Sequence, residues 1–146
     1  MLTYESQVHI DRPPATVFPY LVEPPRQALW SDVPMKQLTP GPLTTGSRME
    51  VTFGMGPVKA TIGLEISALE PGSRMAFRSF SGPIRWDGEY RLRPSGTNGT
   101  ELSQEGRLTF TGVWRLLEPM AGAEIKRGEL KELERLKAVV EEREPA

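Results

Sequence analysis

Few residues in this sequence can do acid, base or metal chemistry. It contains one histidine, His9, and no cysteine, so thiolate nucleophiles and cysteine-containing metal sites are excluded. A zinc centre needs several nitrogen or sulfur ligands, and a serine triad needs a histidine in a closed site, so both are disfavoured. His9 stands two positions before Asp11, which fits either a general base held by an acid or a surface pair. We favour the surface pair, because Val8 and Ile10 occupy the inward phase of the strand.

Three polar residues share the phase of the apolar side chains of their strands. They are Ser79, Tyr90 and Gln104. A buried polar group without a partner costs roughly 1–3 kcal/mol, so such groups usually have one. The partner is either the polar end of a mostly apolar ligand, or an internal hydrogen-bond network or buried water.

The carboxylates are the other candidates for proton transfer. Most of those in the strand region fall on the outward phase, namely Glu65, Asp87, Glu89, Glu101 and Glu105. Glu118 is the exception, because it follows the last strand and stands beside Pro119. We expect Glu118 to pair with Arg107 or Arg115 rather than to reach the rim of a pocket.

Charge and composition exclude several classes of partner. The sequence has 18 Lys and Arg against 19 Asp and Glu, so it offers no excess of basic side chains to duplex DNA or an anionic membrane. The first residues lack a signal-peptide pattern, and no apolar run is long enough to span a bilayer. We therefore expect a cytoplasmic protein without a nucleic-acid partner, stable membrane insertion or a cofactor. Its 146 residues fit one domain, residues 1–146.

Alternation and turn residues predict the elements that position these groups. Residues 3–10 alternate as a half-buried strand. Asp11 and the prolines after it predict a helix start, and Glu23-Pro-Pro predicts a second short helix through Trp30. Residues 32–110 then alternate as six strands of an antiparallel meander with one dry face. Their turns are marked by Pro40-Gly-Pro, Gly54-Met-Gly-Pro, Pro71-Gly-Ser, Ser81-Gly-Pro and Ser95-Gly-Thr-Asn-Gly.

Residues 112–142 return to helical spacing. We expect a kink at Pro119 and charge pairs such as Glu132/Arg135 on the outside. A glycine inside a helix costs about 1 kcal/mol relative to alanine, so the small residues on this helix either leave a void or allow close approach to the sheet. Those small residues are Ala121, Gly122, Ala123 and Gly128. The predicted apolar stripe is Val113, Leu116, Leu117, Met120, Leu130, Leu133, Leu136 and Val140.

This order of elements and several local motifs resemble a known superfamily. The motifs are Val8-His-Ile-Asp-Arg-Pro-Pro-Ala-Thr-Val-Phe-Pro-Tyr-Leu-Val followed by Trp30, Tyr90-Arg-Leu-Arg-Pro, Gly99-Thr-Glu-Leu and Gly112-Val-Trp-Arg-Leu-Leu-Glu-Pro. Over essentially the whole chain they are similar to the SRPBCC superfamily of START-related lipid transfer domains, pollen-allergen-like proteins and bacterial polyketide cyclase/dehydrase proteins, and to the bacterial branch in particular. The resemblance implies an α+β helix-grip fold. In that fold a curved antiparallel sheet of about seven strands wraps around a long C-terminal helix, with two short helices after strand 1.

The resemblance also implies a hydrophobic cavity between the sheet and the C-terminal helix. Inward-facing residues would form its wall, although most of the apolar ones are expected to be plain core. The residues that we predict to contact a ligand are Trp30, Met49, Val51, Phe53, Ile62, Leu64, Phe77, Ser79, Trp86, Tyr90, Gln104, Leu108, Phe110 and Met120. The family's catalytic residues differ between branches, so the resemblance supplies no catalytic set.

Three functions are compatible with these observations. The leading hypothesis is binding or carriage of a small hydrophobic or amphipathic molecule, with affinity from apolar burial and orientation from one or two polar groups. The alternative, which rests on the resemblance alone, is a polyketide cyclase, aromatase or dehydratase in which Tyr90, Gln104 or Glu118 handles protons. The third is a partner module, with the chain a monomer or a homodimer assembled through a sheet edge or an apolar patch near Trp114.

Overall fold

A seven-stranded antiparallel sheet, two short helices and a long C-terminal helix make up the computed structural model, which describes residues 1–33, 35–55 and 57–145. The predicted helix-grip order is confirmed. Gly56, in the predicted Gly54-Met-Gly-Pro turn, lies outside the described residues. The elements are β1 (Leu2–Ile10), α1 (Pro14–Val22), α2 (Pro24–Gln27), β2 (Met35–Gln37), β3 (Arg48–Met55), β4 (Val58–Glu70), β5 (Arg74–Ser81), β6 (Ile84–Ser95), β7 (Gly99–Phe110), a 3-10 helix (Gly112–Leu117) and α3 (Glu118–Arg143).

The sheet is a meander in which the first strand is added beside the last one. The strand order is β1-β7-β6-β5-β4-β3-β2, so β1 pairs with the last strand and consecutive strands pair throughout the rest. β6 and β7 alternate between the interior and solvent, as the pattern of the sequence predicts, whereas β5 buries three consecutive residues, Met75, Ala76 and Phe77. The interior face carries the apolar residues that pack against the helices.

Two paired glycines let aromatic rings approach the interior face of the sheet closely. Gly88 on β6 is opposite Gly106 on β7. A Cβ atom on Gly88 would lie 2.3 Å from Cζ of Phe77, and one on Gly106 would lie 2.3 Å from Cζ of Tyr4. The two rings, from β5 and β1, therefore occupy the space that side chains would take at these positions. The hydroxyl of Tyr4 in turn accepts a hydrogen bond of 2.9 Å from the indole N–H of Trp86.

Helix α1 begins at a proline rather than at an aspartate cap. Pro14 stands at the first helical position, and no side chain caps the helix N-terminus. The predicted cap, Asp11, instead accepts a bond of 2.9 Å from His9. Proline needs no cap at this position, because its ring presets the helical φ and it has no N–H to satisfy. The inward side chains are as predicted: Val17, Phe18 and Leu21 are buried.

Helix α2 is shorter than the predicted helix through Trp30. It ends at Gln27, and the chain then turns. The indole N–H of Trp30 donates a 2.8 Å hydrogen bond to the backbone oxygen of Tyr20, and this residue is buried. That bond holds the ring against α1. Beyond Gln27 the backbone continues in turns, in which the N–H groups of Leu29 and Trp30 donate to the oxygens of Arg26 and Gln27.

The two halves of the predicted C-terminal apolar stripe differ. Leu133, Leu136 and Val140 are buried against the sheet and α1, as predicted. The first half of the prediction is wrong, because Val113, Leu116 and Met120 are 79%, 81% and 72% exposed. The prediction is also wrong for Leu130, which is 42% exposed. In a 3-10 helix, residues three apart share a face, so Val113 and Leu116 point outward together. Trp114 and Leu117 share the opposite face, which packs on the core.

Pro119 lies in the first turn of α3 and does not kink it. The predicted single helix is instead two helices, because residues 112–117 form a separate 3-10 segment. A proline at the start of an α-helix breaks no backbone hydrogen bond.

Candidate functional site

A void of about 260 Å³ lies between the interior face of the sheet and α3. Its volume is close to the lower end of the range for small-molecule sites. The strands contribute Phe53, Trp86, Leu108 and Phe110 from the predicted set, together with Ile84. Aromatic side chains therefore form much of its wall, with the rings of Phe53 and Trp86 in edge contact at 5.1 Å between centroids.

A second void of about 60 Å³ adjoins the first. The two have Val33, Trp86, Glu129 and Glu132 in common, so these residues stand at the boundary between them. The predicted residues that line the second void are Trp30, Met49, Val51, Leu64, Phe77, Trp86 and Tyr90. We refer to these two adjoining voids together as the cavity.

Four predicted residues do not line the cavity. Ile62 is fully buried in the apolar core, and the Ser79 hydroxyl accepts a 2.9 Å hydrogen bond from the backbone N–H of Trp86. Met120 is 72% exposed, so its predicted position on the wall is wrong. The 3-10 segment before α3 sets the rotation of this helix, and that rotation turns Met120 towards solvent.

Gln104, the fourth, ties α3 to the sheet. Its side chain is buried, and its Nε2 donates to the hydroxyl of Ser6 at 3.0 Å and to the backbone oxygen of Glu129 at 3.1 Å. Of the two roles left open by the sequence, the internal network is therefore the one observed for Gln104. The same hydrogen bond fixes the distance between the backbone of Glu129 and strand β7.

Tyr90 is the polar residue of the predicted set that reaches the cavity. The residue is half-buried, its ring is in edge contact with Trp30 at 6.4 Å between centroids, and it lines the second void. Within the described residues its hydroxyl forms no hydrogen bond. Burial, and then the nearby carboxyl of Glu129, raise the pKa of Tyr90, so this group stays a neutral hydroxyl that can donate and accept.

Acids on α3 also line the cavity, and one of them, Glu124, borders the larger void alone. Glu129 and Glu132 both border the two voids, so the predicted outward position of Glu132 is wrong. Its expected partner, Arg135, pairs instead with Asp32 at 2.7 Å. The signal for this arrangement was in the spacing, because Glu129 and Glu132 follow Ile125 by four and seven residues and so continue its face of the helix.

Burial controls the protonation of these acids. It raises the pKa of Glu129 to about 8, with a further contribution from nearby Glu132, and a hydrogen bond from Gln104 opposes the shift. Burial also raises the pKa of Glu132, although its Oε1 accepts the backbone N–H of Asp32 at 3.2 Å. A carboxyl group that titrates near neutral pH in an apolar cavity can either accept or donate a proton.

Small residues on α3 leave room in the cavity. A Cβ atom on Gly128 would meet no atom within 4 Å, and Gly128 lines the larger void together with Ala121. Gly122 is different, because a Cβ there would lie 3.2 Å from Leu2. The sequence left open whether the small residues of this helix border a void or allow close approach to the sheet. Both occur, the void at Gly128 and the close approach at Gly122.

Two other candidates for proton transfer lie away from the cavity. His9 is on the surface, where its ring nitrogens contact Glu101 at 2.7 Å and Asp11 at 2.9 Å. These hydrogen bonds, the one to Glu101 first, raise the pKa of His9. Glu118 pairs with the amino group of Met1 at 2.9 Å, rather than with the expected arginines, and does not line the cavity.

A larger depression, of about 780 Å³, is lined mainly by charged side chains of the outer face of the sheet. Its charges neutralise one another, as in the pair formed by Arg74 with Glu89. We interpret it as solvated exterior, since most of its surface is polar.

Neither a metal centre nor a membrane span is found in the part of the chain that the structure describes. No group of three or more His, Asp or Glu side chains there is arranged to hold a metal ion. No helix in the same residues is both long and apolar enough to cross a bilayer.

The chain has detectable relatives in sequence and in structure. Residues 1–141 match the family model described as polyketide cyclase / dehydrase and lipid transport. No curated protein matches the sequence. The fold is similar to that of the Zhui aromatase/cyclase from Streptomyces sp. R1128, with a TM-score of 0.81 and 16% identity over 99% of this chain and 96% of that one.

Two further solved structures share the fold. TTHA0849 from Thermus thermophilus matches with a TM-score of 0.78 and 16% identity, over 94% of this chain and 96% of that one. CV1439 from Chromobacterium violaceum matches with a TM-score of 0.69 and 20% identity, over 95% and 96%. At these identities the likeness is one of fold.

Proposed function

Because the chain belongs to the polyketide cyclase / dehydrase and lipid transport family, as its SRPBCC-like motifs indicate, we propose that it binds a small hydrophobic or amphipathic molecule in the cavity. The observation that carries this proposal is the void of about 260 Å³ bounded by aromatic and aliphatic side chains. Carriage of the bound molecule from one place to another would follow from the same binding.

Apolar burial is the source of affinity in this proposal. At about 25 cal/mol per Å², covering roughly 200 Å² of a ligand contributes about 5 kcal/mol before the cost of immobilising it. Phe53, Trp86 and Phe110 supply much of the covering surface. The Tyr90 hydroxyl and the two acids of α3 then orient the polar end of the ligand.

A cavity-filling substitution tests this function. Gly128→Leu places a side chain in the larger void, where the glycine has no neighbour, and should also favour the helix. We expect it to weaken binding of the neutral fluorescent dye N-phenyl-1-naphthylamine at least about tenfold, the loss that 1.4 kcal/mol of contact free energy would cause. Fluorescence titration of the purified protein measures this.

The matched control is Ala123→Leu. Ala123 is exposed on the same helix and does not line the cavity, so this variant should bind the dye as the unsubstituted protein does. Equal binding by all three proteins, or no binding by any of them, would contradict the proposal.

A second candidate function is proton-transfer catalysis of the kind that a cyclase or dehydratase needs. The observation that favours it is Glu129, whose pKa of about 8 keeps both the acid and the base form available near neutral pH. In this proposal the Glu129 carboxylate removes a proton from the carbon next to a ketone, and the electrons of that C–H bond form an enolate. The Tyr90 hydroxyl donates to the enolate oxygen, and Glu129 returns a proton to carbon.

Hydrogen–deuterium exchange tests the second candidate. In D₂O, NMR follows loss of the α-protons of 2-tetralone, an aromatic ketone of suitable size. We expect the protein to accelerate the exchange, Glu129→Gln to abolish the acceleration, and Glu134→Gln, an exposed acid on the same helix, to retain it. Identical rates for protein and Glu129→Gln would remove Glu129 from this role.

A further inference from the structure

Among the described residues, all the ionisable carboxyl side chains of the cavity come from one helix, and Arg135, the cation that lowers the pKa of Glu132, does not line the cavity. Glu124, Glu129 and Glu132 line the two voids, whereas no lysine, arginine or histidine of the described part of the chain does so. The guanidinium of Arg135 is held outside by Asp32 at 2.7 Å and by the backbone oxygen of Trp30 at 3.2 Å. The cavity is therefore apolar with one acidic end.

A third polar group faces the same end from the opposite side. The Tyr90 side chain, on β6, is half-buried, lines the void that Glu129 and Glu132 also line, and forms no hydrogen bond within the described part of the chain. Its hydroxyl is therefore free to donate to or accept from a molecule in the cavity. Together with the two carboxyls it offers three polar groups to such a molecule.

The pKa of Glu129 agrees with this view. Burial and Glu132 raise it, and no cation of the described residues lowers it. The charged groups around Glu129 from each packed element are Glu124 and Glu132 on α3, together with the titratable hydroxyls of Tyr4 on β1 and Tyr90 on β6. A buried carboxyl in such surroundings lacks the counter-ion that would keep it ionised.

We propose that the acidic end of the cavity binds a protonated amine carried on a compact apolar, aromatic-sized body. A primary ammonium has three N–H donors and no acceptor. Glu129, Glu132 and Tyr90 offer acceptors to those donors, and hydrogen bonds from a cation to a carboxylate are roughly twice as strong as neutral ones. A carboxylate or phosphate ligand would meet like charge there, because Arg135 is paired with Asp32 and does not line the cavity. This inference rests on the proposed binding function and names the class of its ligand.

A series of naphthalene compounds with one body and three head groups tests this inference. The compounds are 2-naphthylmethylamine, 2-naphthylmethanol and 2-naphthoate, and isothermal titration calorimetry measures their binding at pH about 8, where Glu129 is half ionised. We expect the amine to bind about tenfold tighter than the alcohol, and the carboxylate about tenfold weaker than the alcohol. Glu129→Gln should bring the amine to within about threefold of the alcohol.

Glu134→Gln is the control for net charge. It removes the same charge from an exposed position of α3, so it should leave the preference for the amine intact. Binding of the carboxylate as tight as that of the amine would overturn the amine inference and leave the binding function standing. Binding of none of the three compounds would overturn both.

Discussion

Glu129 is the residue on which most of the chemistry of this molecule depends. Its backbone oxygen accepts a bond from buried Gln104, while its carboxyl lines the cavity. One residue thus joins the internal polar network to the ligand space. The position follows from helix geometry, since four residues separate Glu129 from Ile125 on one side and from Leu133 on the other.

Replacing Glu129 by glutamine should change how stability depends on pH. The ordinary pKa of the group is 4.5 and that in the folded protein is about 8. Between these values the folded protein holds a proton that the unfolded chain has released, so the free energy of unfolding falls as pH rises. Above pH 8, Glu129→Gln should exceed the unsubstituted protein in stability by up to about 5 kcal/mol.

Urea denaturation below pH 4.5 and above pH 8 measures this difference. Below pH 4.5 the two proteins should be nearly equal in stability. Part of the pH dependence should persist in the variant, because burial also raises the pKa of Glu132. Stability profiles that run parallel for the two proteins would show that Glu129 is not buried as described.

At the scale of elements, glycines in the sheet and glycines in the helix have opposite roles. The space that a side chain would take at Gly88 and Gly106 is filled by aromatic rings from β5 and β1. The corresponding space at Gly128, beside the cavity, is empty of protein atoms. The same residue type therefore closes the packing in one element and leaves it open in another.

A pair of alanine substitutions distinguishes these roles. Gly106→Ala brings a Cβ to within 2.3 Å of the Tyr4 ring, which its bond to Trp86 holds in place. We expect it to lower the free energy of unfolding by about 1–3 kcal/mol. Gly128→Ala meets no atom and improves helix propensity, so it should raise this free energy by up to about 1 kcal/mol.

Denaturant unfolding of the two variants at one pH measures both effects. The decisive result is that the free energy of unfolding changes in opposite directions in the two variants, because each variant makes the same chemical change. Two variants with equal stabilities would mean that Tyr4 moves aside without cost, and that the paired glycines do not fix the rings.

At the scale of the whole molecule, the cavity results from how α3 meets the sheet. The second half of α3 is anchored by Leu133, Leu136 and Val140. Its first half carries small residues, and the sheet side chains opposite them, such as Phe53 and Phe110, leave the larger void. A ligand in that void would stabilise the folded state in proportion to the logarithm of its concentration.

The sequence determined the order and kind of the elements. Alternation with glycine-containing turns predicted the meander, and the spacing of Leu133, Leu136 and Val140 predicted the buried half of α3. These features are local, since period and turn chemistry operate within a few residues. The inward phase also placed Trp86, Tyr90 and Phe110 on the face where the structure has them.

Only the tertiary structure decided which residues face the cavity from α3 and whether a cavity exists. The rotation of α3 depends on the 3-10 segment and on the anchoring leucines, and a helical period that fits several faces does not fix it. For this reason Met120 lies in solvent, while Glu129 and Glu132 line the interior. The void is a difference between the volume enclosed by sheet and helix and the volume of the side chains inside, and no local pattern encodes that difference.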